Sequence, residues 1–162
     1  MIQLDIGCGN ILRKLPDVQE IFGCDIIISD NPNIKQADLS LDSIPFENDS
    51  FDVVTAYDFV EHIPPVMYIN GKKRNCVIEL FNEVYRVLKD NGLFLLYIPV
   101  YPNITCFQDP THSFIWTLES KNYFSGDYYG FHDHYGHTSN FVCISQTEDD
   151  IGHVTVKFKA YK

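Results

Sequence analysis

Glycine, aspartate and histidine gather where short apolar runs end. Ile2, Leu4 and Ile6 alternate as a strand and run straight into LDIGCGN, which puts Asp5, Gly7 and Gly9 at the strand's carboxyl end. Glycine there lets bare backbone approach a ligand that a side chain would hold off. Asp25 follows Gly7 by 18 positions, at the end of the next apolar run. A carboxylate so placed accepts hydrogen bonds from both hydroxyls of a ribose. Asp38, in QADL, is placed to accept from an adenine amino group. The combination describes a nucleotide-type site, against the plainer readings of an ordinary tight turn for the G-x-G and a solvated loop aspartate for Asp25.

Two histidines are candidates for proton transfer, because imidazole titrates near neutral pH. His62 lies in YDFVEHI and His112 in QDPTHSF. The alternative for each is a histidine that orders its loop through backbone hydrogen bonds. GFHDHYGH holds His132, Asp133, His134 and His137, and His132 and His134 would share one side of an extended chain. This cluster is read as a lid or substrate contact, and no metal is assigned. Tyr123, Phe124, Tyr128, Tyr129, Phe131 and Tyr135 crowd the same stretch, enough to line a pocket for a flat or sugar-like acceptor or to serve as packing. Trp116 reads as a packing anchor.

The elements that must position these residues alternate along the chain. After the first strand, Ile11 to Leu15 has room for a turn or two of helix before Pro16. Strands are expected over Ile21 to Ile28, Ile34 to Ala37 and Phe51 to Ala56. Val77, Leu80, Phe81, Val84, Tyr85 and Leu88 recur at helical spacing, with Asp90-Asn91-Gly92 as the stop. Leu93 to Ile98 is apolar on both faces, as a central strand should be. A short helix near Leu118 to Phe124 takes Thr117 as its cap, and Phe141 to Gln146 with Val154 to Tyr161 reads as a hairpin. The order predicts an α/β fold, a Rossmann-like doubly wound, mostly parallel sheet with a C-terminal antiparallel hairpin in a three-layer sandwich.

Composition narrows the functions. At 162 residues the chain is expected to form one domain spanning 1–162. Its net charge of -10, from 22 acidic and 12 basic side chains, disfavours partners held through phosphates, so neither nucleic acid nor an anionic membrane is expected. Lys72, Lys73 and Arg74, the one basic run, are read as a solvated loop or helix start. Five scattered cysteines without a C-x-x-C suggest reduced thiols and a cytoplasmic setting. No leader opens the chain, and no run approaches 18 apolar residues.

LDIGCGN, GCDI, QADL, SIPFENDSFDVV, YDFVEHI and EVYRVLKDNGLFLLYIP, in that order, resemble the motifs of class I S-adenosylmethionine-dependent methyltransferases. DPTHSFIWTLESKNYF resembles a subgroup of small methyltransferases that begin at the glycine strand. The resemblance implies S-adenosylmethionine as cofactor. Asp5, Gly7 and Gly9 would contact its methionine part, Asp25 its ribose and Ile26 the flank of its adenine. Asp38 and Leu39 would meet the adenine edge, and Tyr57 would lie near the amino group. Glu61 and His62 match the EH pair of the class, and His112 falls where the subgroup faces the methyl group. His62 and His112 are therefore the expected catalytic pair, acting on an O or N atom of a small-molecule or sugar acceptor.

A nicotinamide-dependent oxidoreductase is disfavoured, since Leu12 stands at the third glycine position and Pro16 shortens the helix a pyrophosphate would need. Nucleic-acid methylation is disfavoured by YDFVEHIPP, which stands where an Asn-Pro-Pro-Tyr type signature for exocyclic amines would. The broad class carries a helical segment ahead of the glycine strand, whereas here only Met1 precedes it. An open cofactor site is expected, covered by a protein partner or a second copy. The competing reading is a non-catalytic methyltransferase-like subunit that works by association.

Overall fold

The computed structural model describes residues 1–126 and 132–162. Strands β1 (Ile2–Ile6), β2 (Glu20–Asp25), β3 (Ile34–Gln36) and β4 (Phe51–Tyr57) run parallel. A hairpin of β5 (Met67–Ile69) and β6 (Lys72–Arg74) precedes helix α1 (Cys76–Val87) and the long β7 (Leu88–Pro99). Helix α2 (Ser120–Phe124) and the antiparallel pair β8 (Phe141–Glu148) and β9 (His153–Ala160) complete the α-helices and strands among the described residues. The main sheet has the order β3-β2-β1-β4-β7-β9-β8, with β9 antiparallel to β7. This is the expected Rossmann-like sheet with its antiparallel edge. Strand order reverses between β1 and β4, and crevices that hold ligands open beyond the carboxyl ends of strands at such a point.

One face of the sheet carries the core. Leu4, Ile6, Val54, Ala56, Phe94, Leu96, Val156 and Phe158 are fully buried on it beneath α1. Phe81 of α1 sits at the centre, its ring meeting those of Phe94, Phe124, Phe141 and Phe158, and Trp116 stacks on Phe124. Trp116 is thus the packing anchor expected of it. None of the five cysteines is in a disulfide, and among the described residues no helix is long and apolar enough to cross a membrane.

The second face is covered by loop. Gln3, Asp5 and Thr55 point into it, all essentially unexposed. Gln3 Nε2 donates to Arg13 O at 2.8 Å, its Oε1 accepts from Leu15 N at 2.9 Å, and Asp5 Oδ2 accepts from Arg13 N at 2.9 Å. Residues 11–15 are thereby held without regular secondary structure, so the turn or two of helix expected over Ile11 to Leu15 does not form. A helix that short gains little for its costly first turn, Pro16 disfavours helical backbone at Leu15, and the strand beneath supplies the partners instead. Further along this face Leu93 and Leu95 are half-buried opposite Lys159 and Lys157.

Other departures have local causes. β2 ends at Asp25, because Asp25 Oδ1 takes the Ile27 amide at 3.1 Å and turns the chain, leaving Ile26, Ile27 and Ile28 exposed rather than in a strand. Helix α1 stops at Val87 as Leu88 turns extended to pair with Phe51, so Asp90-Asn91-Gly92 lies in an irregular stretch of β7. Asn91 there takes the positive φ of 62°, and Gly92 is not a helix cap. The cap position of α2 is Glu119, while Thr117 closes a turn with Ser120. Lys72–Arg74 forms β6 instead of a loop or helix start, turned at Asn70-Gly71 with φ of 51° and 76°.

At the sheet's amino edge Asp52 Oδ2 accepts from the Ile2 amide at 2.6 Å, and Oδ1 from Lys89 Nζ at 2.8 Å. The Lys89 ammonium, followed by the Ile2 amide, holds this carboxyl below its ordinary 3.8. A depressed carboxyl stabilises the fold above its unfolded pKa, and the contribution is lost as pH falls through the folded value. Asp52→Asn is therefore expected to be less stable than the parent at neutral pH, with the gap closing below about pH 4. Urea unfolding at stepped pH checks this.

Candidate active site

The carboxyl ends of β1, β2 and β4 frame a cavity of about 310 Å³, at the small end of ligand pockets. Gly7, Asp25, Ile26, Asp38, Leu39 and His62 line it together with Asp58, Phe59 and Ile63. Gly7 has φ 66°, and a Cβ there would lie 2.2 Å from the Phe59 ring, so only glycine fits. Its amide donates to Cys24 O at 2.9 Å, joining the ends of β1 and β2. Gly9, at φ 58°, donates its amide to Asp25 Oδ2 at 2.8 Å. The glycine turn and the acid at the end of β2 are thus one unit, with each Asp25 oxygen oriented by a backbone amide and a lone pair left over.

Asp38 begins a turn of its own, accepting from Ser40 N at 3.0 Å through Oδ1. Leu39 is buried and Ile26 is 59% exposed, so the two apolar sides of this end of the cavity differ in shelter. Asp58 has φ 49° and a carboxylate oxygen 3.2 Å from His153 Nε2, and the His153 ring stacks on Tyr97. The C-terminal hairpin thereby reaches the rim of the cavity.

Three expected contacts lie outside the lining. Asp5 is buried beneath it, with Oδ1 taking the Thr55 hydroxyl at 2.7 Å and Oδ2 the Arg13 amide. Burial pushes this carboxyl up, while the Arg13 amide, then the Thr55 hydroxyl, pull it back. Gly9 reaches the cavity through Asp25. Tyr57 is half-buried under the Arg13 guanidinium, 5.1 Å from its ring centre.

The two histidines meet. Their rings pack edge to face at 4.9 Å, His62 at the cavity and His112 behind it. His62 Nδ1 is 2.9 Å from Thr111 Oγ1, whose proton goes to Asp109 Oδ1 at 2.7 Å, so His62 is the donor in the first bond. His112 Nδ1 lies 3.2 Å from Cys106 O, an acceptor only, so it too carries its hydrogen there. In the neutral form each ring keeps an Nε2 lone pair. Glu61, in the turn that presents His62, is buried and neither carboxylate oxygen has a hydrogen-bond partner. Burial, reinforced by the carboxylates of Asp58 and Asp109, pushes it up to about 7.

Sequence reasoning assigned no role to Asp58, Phe59 or Ile63 and marked Glu61 only as a member of the EH pair, although all four stand in YDFVEHI. Of the histidine-rich stretch, His137 is buried and bonded to Ser139 Oγ at 3.0 Å through Nε2, and Tyr123 packs against its ring. Tyr128, Tyr129 and Phe131, and the side chains of His132 and Asp133, lie outside the described residues.

Comparison with known proteins meets this geometry at the fold. The YcgJ protein of Bacillus subtilis superposes with a TM-score of 0.62 at 18% identity, over 99% of this chain and 92% of that one. A SAM-dependent methyltransferase from Archaeoglobus fulgidus gives 0.62 at 16%, over 98% and 85%. A chain from the complex of the Haloferax volcanii Trm112 methyltransferase activator with its methyltransferase gives 0.62 at 15%, over 99% and 83%. No curated protein sequence matches. At these identities the superpositions establish a shared fold, but the sequence model of the methyltransferase domain matches residues 4–96, more than half of the chain and all of its glycine turn, Asp25 and His62. The chain belongs to the methyltransferase-domain family.

Proposed function

We propose that the chain is an S-adenosylmethionine-dependent methyltransferase acting on an O or N atom of a small-molecule or sugar acceptor. The observation that carries this is the convergence of Gly7, Asp25, Ile26, Asp38 and Leu39 on one cavity at the strand-order reversal. The residues fit the cofactor. Gly7 gives bare backbone, the pre-oriented Asp25 takes the ribose hydroxyls, Ile26 and Leu39 flank the adenine, and Asp38 meets its edge. Asp5 and Tyr57 act from beneath, holding the Arg13 segment under the methionine end. When bound, S-adenosylmethionine supplies a methyl carbon whose bond to a cationic sulfur breaks as the acceptor's lone pair attacks, leaving that electron pair on sulfur.

The protein's task is then to position the acceptor and handle its proton. His62 and His112 are the groups at hand, each with Nδ1 committed and Nε2 open toward a partner. The net charge of -10 favours a neutral or cationic acceptor over a polyanion.

Calorimetric titration with S-adenosylmethionine and S-adenosylhomocysteine, with NADH as control, tests this. Saturable binding of the first two alone is expected, and a folded chain that binds neither, or NADH instead, overturns the reading. A second reading, action through a protein partner that covers the site, draws on the neighbour solved with a methyltransferase activator. Methyl transfer by the purified chain alone counts against it.

A further inference from the structure

Glu61, buried next to the cavity-lining His62, is in a state that the methyl-transfer reading leaves unexplained. Its side chain is 2% exposed, and neither oxygen has a hydrogen-bond donor. A buried, unpaired carboxylate is costly unless a proton or a cation meets it. Its backbone carbonyl is fully used, accepting from Ser113 N at 2.8 Å and Phe114 N at 3.0 Å, which fixes the segment bearing His112 beside it. One ligand atom from each of Glu61, His62 and His112 lies within 4.8 Å of the other two.

We propose that Glu61, His62 and His112 bind a first-row divalent transition-metal ion beside the cofactor cavity, where His62 lines it, and that this ion holds the oxygen of the methyl acceptor. The second half rests on the methyltransferase reading above, while the first stands on the geometry of the three side chains.

The outer contacts are those a metal site needs. Metal-binding imidazoles donate the other ring N–H to a carbonyl or to a group backed by a carboxylate, which fixes tautomer and aim. His112 donates to Cys106 O, and His62 donates to Thr111 Oγ1, which is backed by Asp109. Two imidazoles and one carboxylate suit manganese, iron, cobalt or zinc better than magnesium, which prefers oxygen alone. Ligand atoms on one ion stand about 3 to 3.5 Å apart, so the trio closes by about 1.5 Å on binding, within reach of side-chain rotation. Asp58 and Asp109 add negative potential around the ion.

Three protein ligands leave coordination positions open. An acceptor hydroxyl bound there becomes more acidic. Its proton passes to solvent, its oxygen bonds to the methyl carbon, and the carbon-sulfur bond breaks with the electron pair remaining on sulfur. The histidines then act on the acceptor's proton through the ion, and the site selects oxygen over nitrogen acceptors.

The test uses the untagged chain, stripped with chelator and titrated with Co²⁺ by visible absorption and with Mn²⁺ by electron paramagnetic resonance, beside S-adenosylhomocysteine by calorimetry. One equivalent of Co²⁺ with ligand-field bands is expected. Glu61→Gln and His112→Gln should each weaken it about 100-fold or more, since even outer-shell losses cost about 10- to 100-fold. His134→Gln should leave it unchanged. Circular dichroism confirms that each variant is folded, and Glu61→Gln keeps the buried shape should His112→Gln not fold. No saturable Co²⁺ uptake, or uptake that survives both substitutions or fails only in His134→Gln, overturns the metal site. A chain that binds S-adenosylhomocysteine but no metal overturns this proposal alone. One that binds metal but not S-adenosylhomocysteine overturns the cofactor reading and the acceptor half, and leaves the metal site standing.

Discussion

Asp25→Ala is expected to lower affinity for S-adenosylmethionine by about 100-fold or more, with the fold retained. Both oxygens are already oriented by backbone amides, Gly9 N at 2.8 Å and Ile27 N at 3.1 Å, so the carboxylate needs no rearrangement to receive a ribose. Hydrogen bonds to a charged acceptor contribute about 1.5–3 kcal/mol each, and a ribose offers two. The alanine variant loses both and releases the glycine turn as well. Asp25→Asn, which keeps one acceptor oxygen, should fall between. Calorimetry with S-adenosylhomocysteine reads the effect, and unchanged affinity in a folded alanine variant would remove Asp25 from the ribose.

The largest loss of stability is expected from Phe81→Ala, about 3–5 kcal/mol. Phe81 is fully buried, and its ring lies 3.7 Å from that of Phe124, centre to centre, and 5.4 Å from that of Phe94. It joins α1 to both the sheet and α2, so no single neighbour can move into the space without leaving another contact. Against the 5–15 kcal/mol that holds a typical domain, this is a large fraction. Trp116 is the only tryptophan and sits in the same stack, so its fluorescence reports urea unfolding directly. Phe107→Ala, at a ring 54% exposed, should change stability by less than about 0.5 kcal/mol. Equal losses at the two positions would mean that the Phe81 stack does not organise the core.

The parallel strands were legible because their residues are apolar where the sheet is buried, and Val77 to Leu88 was legible because its apolar positions keep one helical face. The glycine turn and Asp25 could be paired from spacing, since both end strands that must lie side by side. What escaped depends on partners far along the chain. Nothing local to Ile11 to Leu15 tells that Gln3 and Asp5 will take its amides. Leu88 leaves the helix because it pairs with Phe51. The burial of Glu61 arises from the 111–114 segment folding over it, some fifty residues later. The β5-β6 hairpin is different. Asn70-Gly71 is a strong two-residue turn signal that stands in the sequence itself, directly before the basic run that forms β6.

The path between β1 and β2 has a consequence for how this chain tolerates change. A helical crossover keeps its shape through bonds among its own residues, so it forgives alterations in the strand below. Here the instructions for residues 10–15 are written in β1, as Gln3 and Asp5, and the segment supplies only two amides and one carbonyl. Apart from Arg13, which covers Tyr57, and Leu12, which packs at Gly23, side chains along the crossover are therefore free to drift so long as positions 13 and 15 avoid proline. Gln3 and Asp5 carry two duties at once, one to the sheet and one to the loop it wears.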